Sequence, residues 1–354
     1  MWLIKDFLVG SPLIGVENMD NYLEKLEREM RNRNFDLEYI NLLKDYAKRL
    51  LDHKVAVIFD QEHFSLLTEV PVDTIKALLN NFNSYNEIQI PKKNGGNRTL
   101  LIPNEELKSI QRWILNNILN SIPISDYAKG FKKGLSIVKN AEVHTNKECL
   151  LNIDLTDFFS SIESQRVYKA FRYIGYTKEI SAMLSRLCTY NNFLPQGSPT
   201  SPYLANIICK KMDKRLFSLC KDKGIDYTRY ADDLTFSGDI KLSKYLPIIS
   251  EIVEDEGFQI NTTKTRISYQ HHRQVVTGLT VNKGLNIPRD MKKKLSQEIY
   301  FCKKYGVQGH LAQTGQTYSN YKHYLLGKAY FIKMVNKELG EKFIRRIAEI
   351  AWDY

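Results

Sequence analysis

Apolar residues recur at helical spacing in the first part of the chain. Over residues 18–53 they fall three or four positions apart, which is typical of one face of an amphipathic helix. The residues on this face are Leu23, Leu26, Met30, Tyr39, Leu42, Leu43, Tyr46 and Leu50. An apolar run at 55–59 predicts a short β-strand, and the pattern at 71–79 predicts another helix. Residues 1–80 are therefore expected to form an N-terminal helical region.

The spacing of the apolar residues then changes from helical to alternating. A polar–apolar alternation at 87–91 is followed by a second strand-like run at 98–102. The six residues between them are Lys92, Lys93, Asn94, Gly95, Gly96 and Asn97. An Asn-Gly-Gly core is a strong hairpin signal, so this segment predicts a β-hairpin with a basic tip. Helical spacing returns at 107–118 and again around 136–144.

The centre of the chain combines helices with a proline-containing loop. A helix-rich stretch at 165–190 leads to the loop Leu194-Pro195-Gln196-Gly197-Ser198-Pro199. Beyond this loop, Ser201 suits the N-cap of a helix and Pro202 its first position. The helix itself is predicted over 203–220.

The C-terminal part returns to basic helices from about Pro288. One face of the predicted helix carries Met291, Leu295, Ile299 and Cys302, lysines lie elsewhere, and Gly306 is expected to end it. We place a domain boundary near residue 285. Residues 286–354 contain 13 Lys and Arg against 6 Asp and Glu, so they supply +7 of the formal net charge of +11. Such a field favours nucleic acid or an anionic membrane surface, and a solvated charged face is the alternative.

The amino-acid composition narrows the class of protein further. With 43% hydrophobic and 26% charged residues the chain is typical of a globular protein. The five cysteines form no CxxC or other close pair, so neither a zinc site nor a disulfide framework is indicated. Residues 1–16 contain Lys5 and Asp6 and lack both a basic leader and a long apolar run. We therefore expect no signal peptide, no membrane association and a cytoplasmic location.

Carboxylates stand at the ends of predicted strands. The apolar run 150–154 ends in Asp154, and strand-like runs at 227–230 and 234–236 are joined through Ala231-Asp232-Asp233. If these strands share one sheet, Asp154 and Asp232 converge, with the carbonyl of Leu155 and the carboxylate of Asp233 nearby. Strand extension of a nucleic acid uses two divalent metal ions about 4 Å apart, which need hard oxygen ligands. A solvated Asp-Asp turn is the alternative interpretation.

Three motifs occur in a characteristic order. They are Ile153-Asp154-Leu155-Thr156-Asp157-Phe158-Phe159, then Leu194-Pro195-Gln196-Gly197-Ser198-Pro199, then Tyr230-Ala231-Asp232-Asp233. Together they resemble motifs A, B and C of reverse transcriptases. The resemblance implies that Asp154 and Asp232 are catalytic metal ligands, with the Leu155 carbonyl beside them, and that Asp233 is the third catalytic carboxylate. It also implies two Mg²⁺ ions, with Mn²⁺ able to substitute.

The same resemblance assigns residues to the incoming deoxynucleoside triphosphate. Phe159 matches the aromatic gate that excludes a 2′-hydroxyl, although a core aromatic beside Phe158 is the alternative. Gln196, with Gly197, matches the loop under the nucleotide and template base, where a missing side chain permits close approach. Arg98 matches the triphosphate clamp of the fingers hairpin, with Lys92 and Lys93 either assisting or forming an exposed tip.

Two further positions belong to the same assignment. Asp157 is expected to bind nucleotide through its backbone near the triphosphate, or else to end the strand. Lys264, in a segment similar to motif D, is expected to neutralise or protonate the departing pyrophosphate.

Further motifs narrow the resemblance to retron reverse transcriptases. Asn140-Ala141-Glu142-Val143-His144 fits the retron NAxxH pattern, and Val276-Thr277-Gly278 fits its VTG pattern. Residues 57–60 with His63 also resemble the retron N-terminal region. By this resemblance Asn140, His144, Val276, Thr277 and Gly278 are expected to bind RNA. A hydrogen-bonded structural histidine is the alternative for His144.

The resemblance implies an α+β right-hand fold with fingers, a palm of antiparallel sheet packed on helices, and a helical thumb. Fingers and palm would be residues 81–285 and the basic thumb 286–354. The thumb aromatics Tyr300, Tyr305, Tyr318, Tyr321 and Tyr324 would stack on RNA or form the thumb core.

The implied activity is that of an RNA-directed DNA polymerase acting on a cognate structured noncoding RNA. Family members prime from the 2′-hydroxyl of a guanosine and form branched msDNA. They are associated with antiphage defence, usually with an effector protein encoded nearby, and a host ribonuclease H removes template RNA.

Two alternatives stay open. A group II intron or diversity-generating reverse transcriptase would share motifs A to D. A maturase normally carries a further region after the thumb, whereas this chain ends soon after Arg345 and Arg346, which favours the retron branch. The other alternative is an RNA-binding scaffold or antitoxin in a defence complex, which the intact carboxylates disfavour.

Overall fold

The computed structural model describes residues 19–80, 84–91, 95–315, 318 and 320–352. They form two compact units that interleave along the chain. The first unit takes the described residues up to Phe131 together with Leu155–Arg215 and Glu251–Ile260. The second unit takes Lys132–Asp154, Leu216–Ser250 and the described residues from Asn261 onwards. The functional limits expected at residues 80 and 285 stay predictions.

The elements alternate between helices and short antiparallel strands. In chain order the α-helices are α1 (Met19–Asn32), α2 (Leu37–Asp52), α3 (Gln61–Thr68), α4 (Val72–Asn80), α5 (Glu105–Asn117), α6 (Ile137–Glu142), α7 (Ser164–Ile174), α8 (Lys178–Cys188), α9 (Ser201–Ile208), α10 (Lys210–Lys221), α11 (Leu246–Asp255), α12 (Arg289–Thr314), α13 (Tyr321–Val335) and α14 (Lys337–Ala348). The strands are β1 (Tyr85–Pro91), β2 (Asn97–Pro103), β3 (Cys149–Asp154), β4 (Asp226–Tyr230), β5 (Asp233–Gly238), β6 (Arg266–Tyr269), β7 (Val275–Val276) and β8 (Leu279–Thr280). The α+β class predicted from the sequence is confirmed.

The N-terminal region differs from its prediction in two places. The single helix expected over 18–53 is two helices, because Asp36 begins α2 as an N-cap whose side chain accepts from the Glu38 N–H. The strand expected at 55–59 is absent from the described ladders. Its backbone is buried and bonded elsewhere: the Ala56 N–H donates to the Asn117 carbonyl, and the Tyr46 hydroxyl donates to the Ile58 carbonyl. An apolar run therefore reached the core without joining a sheet.

The helix after the proline loop also differs. Thr200, and not Ser201, is the N-cap residue, and Pro202 occupies the second helical position. The Thr200 side chain does not cap the helix, and its hydroxyl lies 3.0 Å from the Ser198 hydroxyl. The predicted continuous helix is interrupted at Cys209, where α9 ends and α10 follows.

The hairpins are confirmed. Strands β1 and β2 pair in antiparallel register from Tyr85 opposite Pro103 to Pro91 opposite Asn97. In the second unit, four strands form one antiparallel sheet in the order β4-β5-β3-β6. This palm sheet contains both of the strands expected to carry catalytic carboxylates.

The C-terminal helices share an apolar core with the palm sheet. Leu295, Ile299 and Cys302 are buried on one face of α12, as their spacing predicted, and they cluster with Leu150 of β3. Gly306 adopts a positive φ of 73° and kinks α12 without ending it. Along the described parts of the chain, no helix is both long and apolar enough to cross a membrane.

Candidate active site

Three carboxylates meet at one end of the palm sheet. Asp154, the last residue of β3, is the cross-strand partner of Asp233, the first residue of β5. Asp232 stands directly before Asp233 in the tight turn from β4, where Ala231 adopts a left-handed φ of 58°. Opposed residues in an antiparallel pair have Cβ atoms about 4.5–5.5 Å apart, so the two strands bring these groups within a few ångströms.

Asp233 holds a proton more tightly than an isolated carboxyl group does. Desolvation, followed by the charges of Asp232 and Asp154, raises the pKa of Asp233 to about 7, and Lys264 opposes this shift. Like charges brought together disfavour the ionised form. A divalent cation placed among these oxygens would relieve that repulsion.

Lys264 is held against Asp154 by a short turn. Its Nζ donates to both carboxylate oxygens of Asp154, at 2.9 Å and 3.0 Å. The turn is tied to the same residue, because the Asn261 N–H donates to the Asp154 carbonyl at 2.8 Å. The Asn261 side-chain oxygen in turn accepts from the Lys264 N–H. The lysine predicted to act on pyrophosphate is thus an ion-pair partner of a predicted metal ligand.

The donor chemistry fits divalent metal ions. Within the described residues, no three His, Cys, Asp or Glu side chains are arranged to hold a metal ion as they stand. The ammonium group of Lys264 takes both oxygens of Asp154 instead. The available donors are carboxylate oxygens, which Mg²⁺ prefers. The pKa of Asp233 is raised first by desolvation and then by the charges of Asp232 and Asp154, and a cation would balance those charges.

The motif B loop, residues 194–199 of the first unit, is hydrogen-bonded to the hairpin that carries Arg98. The Leu101 N–H of β2 donates to the Gln196 carbonyl at 2.8 Å. Gly197 has a φ of 131°, and a Cβ there would lie 2.6 Å from the Leu101 carbonyl oxygen. Only glycine permits this approach of two backbones. Arg98 itself is exposed on β2, opposite Ile90.

A buried polar network behind this loop was missed by sequence reasoning. Gln111, fully buried on α5, accepts from the Ser198 hydroxyl at 2.8 Å. Its amide donates to the Tyr85 hydroxyl and to the Leu187 carbonyl. A signal was present, because Gln111 lies four residues after Leu107, on the apolar face of the predicted helix. Lys92 and Lys93, at the predicted hairpin tip, lie outside the described residues.

The aromatic predicted as the sugar gate is half-buried in the first unit. The ring of Phe159 lies 5.3 Å from that of Phe158 and 6.2 Å from that of Phe131, between ring centroids. Phe158 is buried and stacks on Phe258, so it forms the core side of this group. Asp157 is exposed with a left-handed φ of 46°, and its carbonyl accepts from the Ser161 N–H.

His144, the histidine of the NAxxH motif, is buried in the second unit and bridges two strands by hydrogen bonds. The ring nitrogens of His144 lie 2.7 Å from the hydroxyls of Ser237 and Thr228. These hydroxyls belong to β5 and β4, the hairpin whose turn carries Asp232. His144 is fully buried, so the structure gives it a packing role, and direct RNA contact by its side chain stays a prediction.

The NAxxH and VTG motifs touch each other. The amide nitrogen of Asn140, a fully buried residue, lies 3.5 Å from the hydroxyl of Thr277, which donates to the Ile137 carbonyl at 3.2 Å. Thr277 has a left-handed φ of 44°, Val276 is buried, and Gly278 is exposed. Of the five residues predicted to bind RNA, only the turn at 277–278 therefore reaches the surface.

The comparisons with known proteins agree with this architecture. A family model described as reverse transcriptase (RNA-dependent DNA polymerase) matches residues 90–286. The retron Ec86 reverse transcriptase of Escherichia coli is 37% identical over 275 residues, which cover 75% of this chain and 84% of that protein. The retron Mx162 reverse transcriptase of Myxococcus xanthus is 35% identical over 297 residues, covering 74% of this chain and 60% of that one.

Among solved structures, apo telomerase from Candida tropicalis matches with a TM-score of 0.46 and 13% identity, covering 76% of this chain and 58% of that chain. The extent and identity of the retron matches, together with the family model, decide the classification. This chain belongs to the retron-type reverse transcriptases, a family of RNA-directed DNA polymerases.

Proposed function

We propose that this protein copies a cognate structured noncoding RNA into branched msDNA, using deoxynucleoside triphosphates as substrates. The observation that carries the proposal is the register of the palm sheet, which sets Asp154 directly opposite Asp233. The NAxxH and VTG motifs, which distinguish the retron branch, pack within the same unit. The three carboxylates and these two motifs thus lie in one compact unit.

Asp154, Asp232 and the Leu155 carbonyl would hold two Mg²⁺ ions, with Mn²⁺ able to substitute, and Asp233 would act as the third carboxylate. When bound, the ions would lower the pKa of the attacking hydroxyl and balance charge on the attacking and leaving oxygens. The protein supplies the fixed placement of these oxygens. The sheet fixes the backbone of Asp154 and Asp233 at the ends of paired strands, and the Asp154 side chain would exchange Lys264 for the ions.

Lys264 would exchange its present partner for the leaving pyrophosphate. Its side chain is 59% exposed, and its ammonium group donates to both carboxylate oxygens of Asp154. A cation at this place can neutralise, and then donate a proton to, the oxygen of the departing group. The turn that begins at Asn261 keeps the lysine beside the carboxylates throughout.

The nucleotide would be bound by residues of the first unit. The planar guanidinium group of Arg98 can donate two parallel hydrogen bonds to a triphosphate. Asp157 would contribute backbone groups from an exposed turn. Gln196 presents the loop that β2 holds by a backbone hydrogen bond. Phe159 would exclude the 2′-hydroxyl of ribonucleotides by steric contact.

In the cell, the protein would act in the cytoplasm in antiphage defence with an effector protein encoded nearby. RNA contact by the VTG motif would involve the exposed turn at Thr277 and Gly278. Asn140, His144 and Val276 would support that turn and the catalytic hairpin from the core.

The test uses the gene expressed with its native flanking DNA. Small nucleic acids that copurify with the protein are separated on a denaturing gel, with and without RNase and debranching enzyme. We expect a discrete DNA whose mobility changes after both treatments. Asp232→Asn should abolish it by removing a metal ligand, while Asp73→Asn, at a carboxylate that is 98% exposed in α4, should leave it intact.

Other outcomes would contradict the proposal. DNA synthesis by the Asp232→Asn variant would refute the site assignment. Mg²⁺-dependent primer extension without any branched product would indicate a reverse transcriptase of another branch. Copurification of RNA without DNA synthesis would indicate an RNA-binding scaffold.

A further inference from the structure

A basic cleft lies at the end of the palm sheet away from the carboxylates. Tyr269, the last residue of β6, pairs with Cys149 at the start of β3, whereas Asp154 is at the other end of β3. Asp154 is five positions beyond Cys149 along β3, which is about 17 Å at the usual rise per residue. The loop that follows Tyr269 forms one wall of the cleft.

The cleft is large enough for a nucleotide and strongly positive. It has a volume of about 610 Å³, within the range of small-ligand sites. Its basic lining residues are His271, His272, Arg273, Lys283, Arg289 and Lys292. Asp290 is the one acidic residue among those that line it, so four permanent cations face a single carboxylate. The closest Arg273–Asp290 approach is 3.6 Å, a long ion pair that leaves most of the positive charge unbalanced.

The walls of the cleft are held by buried and bidentate hydrogen bonds. Gln274, fully buried behind the loop, donates to the Lys147 and Ser268 carbonyls. The amide of Asn282 donates to the Gln270 and His272 carbonyls, at 2.8 Å and 2.6 Å. Both sides of the loop that carries the two histidines are therefore fixed to neighbouring backbone, and a ligand would meet a preformed surface.

Flat rings are exposed beside the cations. The His271 ring is nearly parallel to that of Tyr269, with an interplanar angle of 4° and centroids 6.0 Å apart. The centroids of His271 and His272 are 4.3 Å apart. Both histidines and Tyr269 are exposed. Cations that contact phosphates, interleaved with rings on which bases stack, are the two elements of single-stranded nucleic-acid recognition.

We propose that this cleft binds an unpaired segment of RNA, with phosphodiester groups against Arg273, Lys283 and Lys292 and a base stacked on His271. The assignment of RNA as the ligand rests on the proposed function. The distance along β3 from Asp154 excludes the incoming nucleotide as the occupant. The cleft would hold part of the structured RNA in place while another part is copied.

Fluorescence anisotropy with a labelled oligouridylate of about ten nucleotides tests the proposal on the full-length protein. The double variant Arg273→Glu/Lys283→Glu should lower affinity by about tenfold or more and reduce the salt dependence of log K by about 0.7 for each phosphate that the variant no longer binds. The charge-matched control is Lys178→Glu/Lys221→Glu, at two exposed lysines on α8 and α10, and it should retain the affinity of the unmodified protein.

His271→Ala tests the stacking element separately. It should weaken oligouridylate binding by about fivefold or more, and its salt dependence should match that of the unmodified protein because every cation that binds a phosphate is still present. Equal reductions of affinity in the control double variant would overturn the proposal, since the general positive field would then explain binding. Displacement by oligoglutamate of matched charge would also overturn it, because that polyanion offers no base to stack on His271.

Extension of a generic annealed primer–template separates this proposal from the proposed function. The cleft variants should keep Mg²⁺-dependent extension while losing synthesis on the cognate RNA. Absence of extension by the unmodified protein would refute the polymerase assignment and leave the binding result to be judged by itself. Full synthesis on the cognate RNA by Arg273→Glu/Lys283→Glu would refute the role of the cleft.

Discussion

The ammonium nitrogen of Lys264 lies 2.9 Å from one carboxylate oxygen of Asp154 and 3.0 Å from the other. This pair joins a predicted leaving-group acid to a predicted metal ligand. A cation of the protein and a divalent ion would therefore compete for the same oxygens. Exposed pairs of this kind contribute only about 0–1 kcal/mol to stability, so the contact is of interest for metal binding more than for folding.

Lys264→Gln should lower the Mg²⁺ concentration needed for half-maximal DNA synthesis, because Asp154 loses its competing cation. The same substitution should reduce kcat by about 100-fold or more, because the leaving group loses its acid. Mg²⁺ titrations of primer extension measure both quantities. Lys264→Arg, which keeps the charge, should leave the Mg²⁺ requirement nearly unchanged; a shift equal to that of the glutamine variant would contradict the competition.

Gly197→Ala should damage the motif B loop. The added Cβ would lie 2.6 Å from the Leu101 carbonyl oxygen, so the loop or β2 must move. A displacement of about 1 Å at a substrate-positioning element costs on the order of 100-fold in kcat/KM. Steady-state kinetics on a primer–template give this loss.

Gly134→Ala is the matched control for that substitution. Gly134 also has a positive φ, of 80°, but a Cβ there meets nothing within 4 Å. It should lose about 1–2 kcal/mol of unfolding free energy from backbone strain and retain its kcat/KM. If both alanine variants lost activity equally, backbone strain and not the contact with Leu101 would be the cause.

His144→Ala should destabilise the fold by about 2–4 kcal/mol, because the hydroxyls of Ser237 and Thr228 lose their partner in a buried site. Urea unfolding followed by circular dichroism measures the change. His323→Ala, at an exposed position of α13, should change stability by less than about 0.5 kcal/mol. RNA affinity per folded molecule should be the same for His144→Ala and the unmodified protein, and a selective loss of affinity would restore His144 as an RNA contact.

Phe159→Ala should relax the choice between deoxyribonucleotides and ribonucleotides. If Phe159 excludes the 2′-hydroxyl, the ratio of kcat/KM for dNTP to that for rNTP should fall by about tenfold or more. Phe131→Ala removes the neighbouring ring, whose centroid is 6.2 Å away and which is 43% exposed. That control should keep the ratio, and an equal fall in both variants would point to general loosening of the aromatic group.

Much of this protein was determined by local sequence. The pairing of β1 with β2, the strand ending in Asp154 and the Asp-Asp turn formed as predicted, because turn chemistry and alternation act over a few residues. The ordered motifs identified the family before any geometry was known. The buried face of α12, including Leu295 and Ile299, also followed from spacing alone.

Tertiary structure decided what depends on partners distant in the chain. The run at 55–59 has the composition of a strand, but its backbone groups are satisfied by Asn117 and Tyr46, so no ladder forms. His144 can be buried because its two ring nitrogens contact the hydroxyls of Thr228 and Ser237. These partners are 84 and 93 residues away in the chain. The residue type determines which hydrogen bonds a side chain is able to make. The packed fold determines which partners come within reach of it.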